Sequence, residues 1–294
     1  MATKTKISPA SIPASPVRRP SDLRVAAVQL RSTDDYNHNV RRIQTILTEC
    51  ASQRVQVAAF PECAVTGYDA EAILRPTLRE LRRTELELAE ACRKLRIHAL
   101  IGIPWRSRGR IHNSVIVIDR TGRLVARHLK VHLVGQDREW NCTPGTRPSP
   151  VLPIGRARCC VVICHDSRYP ELTRLPVLAG ARVVFYLSHE ASLKKEWKMN
   201  PYRAQVQARA AENSVFVVHA NAPANADLTA SHGQSRIVDP NGTVLREASQ
   251  FEEEVLIADL HLPEATAENA LRSLELSPLD RWWREGLRQV TIIK

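Results

Sequence analysis

Short apolar runs that do not alternate with polar residues constrain this chain more than any other feature. They occupy residues 23–28, 55–60, 99–103, 159–164, 183–187 and 215–219. A strand with one face in water alternates apolar and polar side chains, whereas a strand covered on both faces is apolar throughout. The runs therefore predict strands of sheets that are buried on both faces.

Segments with helical periodicity lie between these runs. In the first of them, Val40, Ile43, Leu47 and Cys50 recur at helical spacing. Further helices are predicted at about 76–96, 170–180 and 197–212, hairpin turns at 119–122 and 239–242, and a last strand at 255–260. The strand–helix order occurs twice. Two similar α/β halves that pack sheet against sheet, with their helices outside, would bury both faces of every sheet.

The two ends of the chain differ from its centre. Residues 1–21 contain Lys, Arg, Ser and Pro and no acid, which predicts a disordered basic tail, with a transit peptide as the alternative. Residues 22–262 form the predicted domain, and residues 263–294 form a C-terminal extension. There, Trp282 and Trp283 cannot share one face of a helix or strand. We expect the extension either to contact a partner subunit or to fold back onto its own domain.

Charge and cysteine content limit the partners and the compartment. The net charge is +11, but basic residues are interleaved with acids, as in residues 79–85, which is typical of a solvated helix face. Without zinc-finger spacing or an RNA-binding aromatic motif, we expect no nucleic-acid partner. No apolar run suits a membrane span or a secretory signal. Seven cysteines, an odd number in a long chain, favour reduced thiols and a cytoplasmic location.

Three residues could carry chemistry. Cys164 ends an apolar strand before a polar turn, a place where α/β folds bind ligands, and the helix that follows would favour its thiolate. Glu62 follows a strand and Pro61, where a carboxylate could act as a base. Lys130 leaves a hairpin strand, and its ammonium could stabilise an oxyanion. Taken singly, each has an ordinary interpretation as a core cysteine, a loop charge or an exposed lysine.

Their shared context changes this interpretation. The motifs, in order, are Phe60-Pro61-Glu62, Lys130-Val131-His132-Leu133, Ile163-Cys164-His165-Asp166 with Arg168-Tyr169-Pro170-Glu171, Trp197 followed by Arg209-Ala210-Ala211-Glu212-Asn213, and residues 233–242. In this order, from about residue 22 to residue 262, they strongly resemble the nitrilase superfamily of carbon–nitrogen hydrolases. The His-Asp pair after Cys164 resembles amidases and N-carbamoyl hydrolases more than nitrile-cleaving enzymes.

The resemblance implies a four-layer α-β-β-α sandwich and a covalent thioester route. Glu62 would deprotonate Cys164, which attacks the carbonyl carbon of a small amide or N-carbamoyl compound and releases ammonia or an amine. Lys130 and the backbone N–H of His165 would hold the oxyanion. The resemblance implies neither a metal nor an organic cofactor.

Further residues are assigned on the same resemblance. Many members have a second active-site glutamate between the lysine and cysteine motifs, and Glu139 is the candidate here, although its spacing from Lys130 is short. His165, Arg168 and His189 are candidate substrate-binding residues, Arg168 because it could meet a substrate carboxylate. Residues 188–192 depart from the family pattern of Asn-Pro or small residues, so the substrate is not transferred from the family.

Other interpretations remain open. A zinc hydrolase built from Cys160, Cys164 and His165 would need two cysteines roughly 13 Å apart along a strand to share one ion, which is too far. A nitrilase and a non-catalytic scaffold of the same fold are the remaining alternatives.

The helix after Pro170 is apolar, and subunits of this family associate through the corresponding helices. We therefore expect a homodimer or a larger even-numbered assembly.

Overall fold

The computed structural model describes residues 22–275 and 277–294. The elements of its first half are β1 (Asp22–Gln29), α1 (Tyr36–Ser52), β2 (Val57–Ala59), α2 (Ala70–Leu74), α3 (Leu78–Leu95), β3 (His98–Ser107), β4 (Arg110–Ile118), β5 (Leu124–Leu129) and α4 (Gly135–Glu139). Those of the second half are β6 (Leu152–Ile154), β7 (Ala157–Ile163), α5 (Glu171–Leu178), β8 (Val183–Leu187), α6 (Met199–Ala211), β9 (Phe216–Ala220), β10 (Arg236–Val238), β11 (Val244–Glu247), β12 (Glu254–His261), α7 (Glu268–Arg272) and α8 (Ser277–Leu287). The predicted basic tail lies outside the described residues.

The strands of the described chain form two six-stranded sheets. The first has the order β12-β1-β2-β3-β4-β5 and the second β11-β10-β9-β8-β7-β6. In each sheet three central strands are parallel, β1-β2-β3 in the first and β7-β8-β9 in the second, with antiparallel strands on both sides. The predicted sandwich of two sheets flanked by helices is confirmed.

The alternation of side chains along β1 shows why the apolar runs are continuous. Val25 and Ala27 point into the core between the sheets. Their neighbours Ala26 and Val28 point into a second core, beneath α1 and α3. A third core lies between the second sheet and the helices α5 and α6, so each sheet is covered on both faces.

Local signals explain where the longer helices begin. The hydroxyl of Thr77 accepts a hydrogen bond from the backbone N–H of Glu80, whose carboxylate accepts one from the N–H of Thr77. This reciprocal capping satisfies two of the unpaired donors at the start of α3. Buried Leu81, Leu88 and Cys92 then follow one face of the helix.

None of the helices in the described part of the chain has the length and apolar character needed to cross a membrane.

The C-terminal segment packs against its own domain. The backbone N–H of Val151 donates to the carbonyl of Thr291 (2.9 Å), and the carbonyl of Val151 accepts from Ile293 (2.8 Å). Helix α8 lies so close to α5 that a Cβ on Gly286 would come within 2.7 Å of the Leu175 side chain. The segment therefore folds back onto its own domain, and its contact with a partner subunit stays a prediction.

The parallel strands also bring polar segments together. Parallel strands direct their carboxyl ends to one edge of a sheet, which is where α/β folds bind ligands. Glu62 lies just after β2, Cys164 directly follows β7, and residues 188–190 follow β8. Because the sheets pack face to face, these loops meet at one end of the sandwich.

Candidate active site

Glu62 is held in a tight turn after β2. Its side chain is buried, and the next residue, Cys63, has a left-handed backbone with φ +52°. Gly102 of β3 passes directly beneath this turn: a Cβ there would lie 2.3 Å from the carbonyl oxygen of Pro61 and 2.4 Å from the amide nitrogen of Cys63. Only glycine permits this close approach of β3 to the turn.

Lys130 points from the end of β5 into the same place, with no exposed side-chain surface. Its Nζ lies 2.7 Å from Oε1 of Glu62 and 2.8 Å from Oδ2 of Asp137. Burial alone would lower the pKa of Lys130, but the effects of Glu62, Cys164 and Asp137 together outweigh burial and hold the pKa well above its usual value. The ammonium is therefore permanently charged.

The second buried carboxylate belongs to Asp137 of α4, and the structure does not bring Glu139 to the cluster. Glu139 is exposed two residues further along the same short helix. Asp137 is fully buried and accepts hydrogen bonds from the hydroxyl of Tyr68 (2.7 Å) and the backbone N–H of Val134 (2.9 Å). A turn of helix places positions 137 and 139 on different faces, so only one of them can point inward.

Asn113 and Tyr68 complete the surroundings of the charges, and sequence analysis missed both. The side-chain amide of Asn113 donates to Glu62 (2.7 Å) and to Asp137 (3.2 Å). The Tyr68 hydroxyl lies 3.5 Å from Nζ of Lys130. Asn113 could have been suspected, because a polar amide in the apolar strand β4 needs a buried partner. No comparable sequence signal marks Tyr68.

The charges change the ionisation of Glu62. Burial raises its pKa, and the ammonium of Lys130 opposes that shift without cancelling it. The carboxylate of Asp137 raises the pKa further. A carboxylate whose pKa is shifted towards neutrality is a better proton acceptor.

Cys164 begins a 3₁₀ turn, Cys164–Arg168, and has a left-handed backbone with φ +45°. Its side chain is almost completely buried, and Sγ lies 3.8 Å from the carbonyl oxygen of His189, to which the thiol donates. Burial raises the pKa of the Cys164 thiol well above its usual value, the charge of Glu62 adds to this, and Lys130 opposes it. The resting cysteine is therefore a neutral thiol that needs a base.

Asp166 ties the cysteine turn to the lysine segment. Its carboxylate accepts hydrogen bonds from the backbone N–H groups of Val131 (3.1 Å) and His132 (2.7 Å). Burial raises its pKa to about 7, against the effect of those two donors. The bonds fix the segment after Lys130 relative to Cys164.

The candidate substrate-binding residues differ in position. His189 stacks on Tyr68, with ring centroids 5.1 Å apart, and burial lowers its pKa to about 4. His165 is half-buried beside Tyr169. Arg168 is exposed and lies over the ring of Tyr202, 5.3 Å from its centroid. Of the three, His189 contacts Cys164 through its backbone carbonyl, and the contact of all three with a substrate stays a prediction.

The three groups of the predicted triad form one electrostatic unit. The charges of Glu62 and Lys130 both act on the ionisation of Cys164. A thiol, a carboxylate with raised pKa and a fixed ammonium, all three buried, are the parts of a hydrolase that uses a covalent intermediate. In residues 22–275 and 277–294 no three His, Cys, Asp or Glu side chains are grouped to hold a metal ion, and Cys160 points into the core beneath the helices.

Comparison with known proteins identifies the family. The carbon-nitrogen hydrolase family model matches residues 24–268, and the chain therefore belongs to that family. An omega-amidase from Danio rerio is 28% identical over 260 residues, covering 82% of this chain and 89% of the relative. A 2-oxoglutaramate amidase from Bacillus subtilis is 25% identical over 234 residues, covering 78% of this chain and 86% of the relative.

A solved structure shares the fold. It is a variant of the amidase from Nesterenkonia sp. AN1 with the acetamide moiety of fluoroacetamide added covalently at its active-site cysteine. Its TM-score is 0.80 at 24% identity, covering 92% of this chain and 100% of that one. The family resemblance found in the sequence, and the carbon–nitrogen hydrolase class that it implied, are thus confirmed.

The two acidic residues of α4 provide a matched test of the cluster. Asp137→Ala leaves Lys130 with one carboxylate partner and should destabilise the fold by about 3 kcal/mol or more, because it breaks a buried charge network. Glu139→Ala removes an exposed carboxylate and should change the free energy of unfolding by less than about 0.5 kcal/mol. Urea denaturation of both variants measures the difference. Equal stabilities would contradict the assignment of Asp137.

Proposed function

We propose that the protein is an amidase that hydrolyses the C–N bond of a small carboxamide or N-carbamoyl compound through a thioester on Cys164. The observation that carries the proposal is the buried set of Glu62, Lys130 and Asp137 next to a cysteine thiol. The similarity to two relatives, an omega-amidase and a 2-oxoglutaramate amidase, supports the same chemistry.

In the first half-reaction Glu62 takes the proton of the Cys164 thiol as sulfur attacks the carbonyl carbon. The C=O π electrons move to oxygen, and the ammonium of Lys130 and the backbone N–H of His165 stabilise that oxyanion. When the carbonyl reforms, the C–N bond breaks and Glu62 passes its proton to the leaving nitrogen. Ammonia or an amine departs and a thioester remains.

In the second half-reaction water replaces the amine. The water oxygen attacks the thioester carbon while Glu62 takes a proton from the water. Lys130 and the backbone N–H of His165 stabilise the second oxyanion. Collapse of this intermediate breaks the C–S bond and releases the acid. The proton on Glu62 returns to the sulfur of Cys164, which restores the starting state.

The nucleophile is tested by comparing cysteines. Cys164→Ala should fold normally and lose all measurable turnover, whereas Cys159→Ala, which alters only the core between the sheets, should keep it. Ammonia release is measured against a panel of amides, carbamoyl amines and nitriles, and intact mass after rapid quenching reports the acyl-enzyme. Turnover by Cys164→Ala would refute the mechanism. Ammonia release from nitriles alone would show that the enzyme hydrolyses nitriles and not amides.

The pH dependence reports on Glu62. Because its carboxylate must be ionised to accept a proton, kcat/KM should rise with pH through a pKa that lies above the usual carboxylate value. Asp137→Asn removes a negative charge that raises the pKa of Glu62, so the acid limb of residual activity should move to lower pH. If the acid limb moves to higher pH or does not move, the charge of Asp137 does not raise the pKa of the group that controls activity.

We also propose a reducing, cytoplasmic location and a homo-oligomeric assembly. All seven cysteines are free, in keeping with a reducing compartment. The outer side of the C-terminal segment exposes Leu271, Leu279 and Trp282, which are 39%, 43% and 50% exposed. Leu279 and Trp282 are three positions apart on α8 and share one face of that helix, and exposed apolar side chains on one face favour contact with a second copy of the chain.

The assembly is tested with two exposed tryptophans. Light scattering at micromolar concentration should give a dimer or larger even-numbered species for the full chain. Trp282→Ser should weaken that association, whereas Trp197→Ser, which alters a 74%-exposed tryptophan outside the C-terminal segment, should leave it unchanged. A monomeric full chain would rule the assembly out, and equal effects of the two substitutions would exclude the C-terminal segment as the interface.

A further inference from the structure

One residue contacts both the base and the nucleophile through its backbone. The N–H of His189 donates to Oε2 of Glu62 (2.9 Å). The carbonyl of the same residue accepts from the thiol of Cys164, at 3.8 Å from Sγ. The position of this backbone segment, just after β8, therefore sets the orientation of both reacting side chains.

The next residue, Glu190, anchors the segment. Its side chain is buried, and Oε1 accepts a hydrogen bond from the hydroxyl of Tyr186 at 2.5 Å. Oε2 lies 2.8 Å from Nε2 of His232. The backbone N–H of Glu190 donates to the side-chain oxygen of Asn221 (3.1 Å). Glu190 is thus held from β8, from the end of β9 and from the segment before β10.

The surroundings of Glu190 are themselves connected. The Ser188 hydroxyl contacts Nε2 of His219 (2.7 Å) and donates to Asn221 (3.1 Å). The side-chain amide of Asn221 donates to the carbonyl of Gly233 (2.8 Å), and Ser231 donates to the side-chain oxygen of Asn221 (3.0 Å). Such a connected buried network favours one arrangement of the loop over others.

Glu190 remains ionised although it is buried. Burial would raise its pKa, but the charge of His219, with His232 and the Tyr186 hydroxyl, outweighs burial and lowers the pKa to about 2. A buried carboxylate is expensive to desolvate unless it is paired and hydrogen-bonded. The charge of Glu190 adds to the raised pKa of the Cys164 thiol, while its hydrogen bonds act on the position of the adjoining His189 backbone.

We propose that Glu190 is a positioning residue that fixes the His189 backbone, and through it the relative orientation of Glu62 and Cys164. The inference rests on the proposed roles of these two residues. It also explains a departure of the sequence: residues 188–192 lack the Asn-Pro or small-residue pattern of many family members. In this chain a buried acid and its network hold the loop.

The test compares three variants with the wild type. Glu190→Ala removes both anchors of the carboxylate, and Glu190→Gln keeps the shape and an oxygen that can accept from Tyr186. Asp259→Asn is the control: Asp259 is a largely buried acid paired with Arg24 (2.5 Å) on the β1–β12 side of the first sheet. Its substitution alters stability without touching the His189 segment.

The expected results separate positioning from stability. Glu190→Ala should lower kcat about 100-fold with little change in KM, as misplacement of reacting groups does. Glu190→Gln should recover most of that loss. Asp259→Asn should lower the melting temperature and keep kcat. A folded Glu190→Ala with wild-type kcat, or a Glu190→Gln as impaired as Glu190→Ala, would overturn the proposal.

Alkylation of Cys164 by iodoacetamide gives a readout that does not depend on turnover. Followed at neutral pH by mass spectrometry of the Cys164 peptide, its rate should fall about 10-fold or more in Glu190→Ala, because Glu62 no longer faces the thiol. If that variant does not fold, Tyr186→Phe, which removes one hydrogen bond to Glu190, should slow alkylation in the same direction. An unchanged rate overturns the positioning role, whereas a wild type without any turnover would instead refute the proposed function.

Discussion

The buried ammonium of Lys130 between two carboxylates is the interaction on which the rest of the active site depends. All three side chains of this group, Glu62, Lys130 and Asp137, are withdrawn from water. Removing such charges from water is expensive, and their mutual attraction offsets that only when the remaining hydrogen-bonding capacity is filled. Asn113, Tyr68 and the backbone N–H groups of Val134 and His189 fill it. These partners come from four separate parts of the chain, so the complete fold is needed to stabilise the group.

The same arrangement sets the protonation states of Glu62 and Lys130. Burial raises the pKa of Glu62 more than the ammonium of Lys130 lowers it, and the charges around Lys130 keep that ammonium protonated. In the proposed mechanism the proton of Cys164 therefore moves to Glu62 only as sulfur attacks, and the ammonium of Lys130 is already in place when the oxyanion forms. Preorganised charges of this kind act strongly because no solvent has to rearrange around them.

The sequence predicts this fold well because its strands are buried on both faces. Continuous apolar runs located the central parallel strands, and motifs at the ends of β2, β5 and β7 located Glu62, Lys130 and Cys164. Asp137 was missed because α4 has only five residues, too few for helical periodicity, and Glu139 offered the same chemistry two positions later. The roles of Asn113 and Glu190 depend on pairings between distant segments, which no local pattern specifies. The antiparallel pairing of β12 with β1, more than 200 residues apart, was missed for the same reason.

The backbone is strained in the two turns that follow the strands β2 and β7. Both Cys63, after the base, and Cys164, the nucleophile, have positive φ, a conformation that is unfavourable by about 1 kcal/mol or more for residues with a side chain. Each residue marks the abrupt exit of a chain segment from a parallel strand. Without that sharp change of direction the strand would carry Glu62 or Cys164 onwards along the sheet. The strain persists because Gly102 packs under the first turn and the bonds from Asp166 hold the second. The stability of the two sheets thus maintains the strained turns that hold the proposed base, Glu62, and the proposed nucleophile, Cys164.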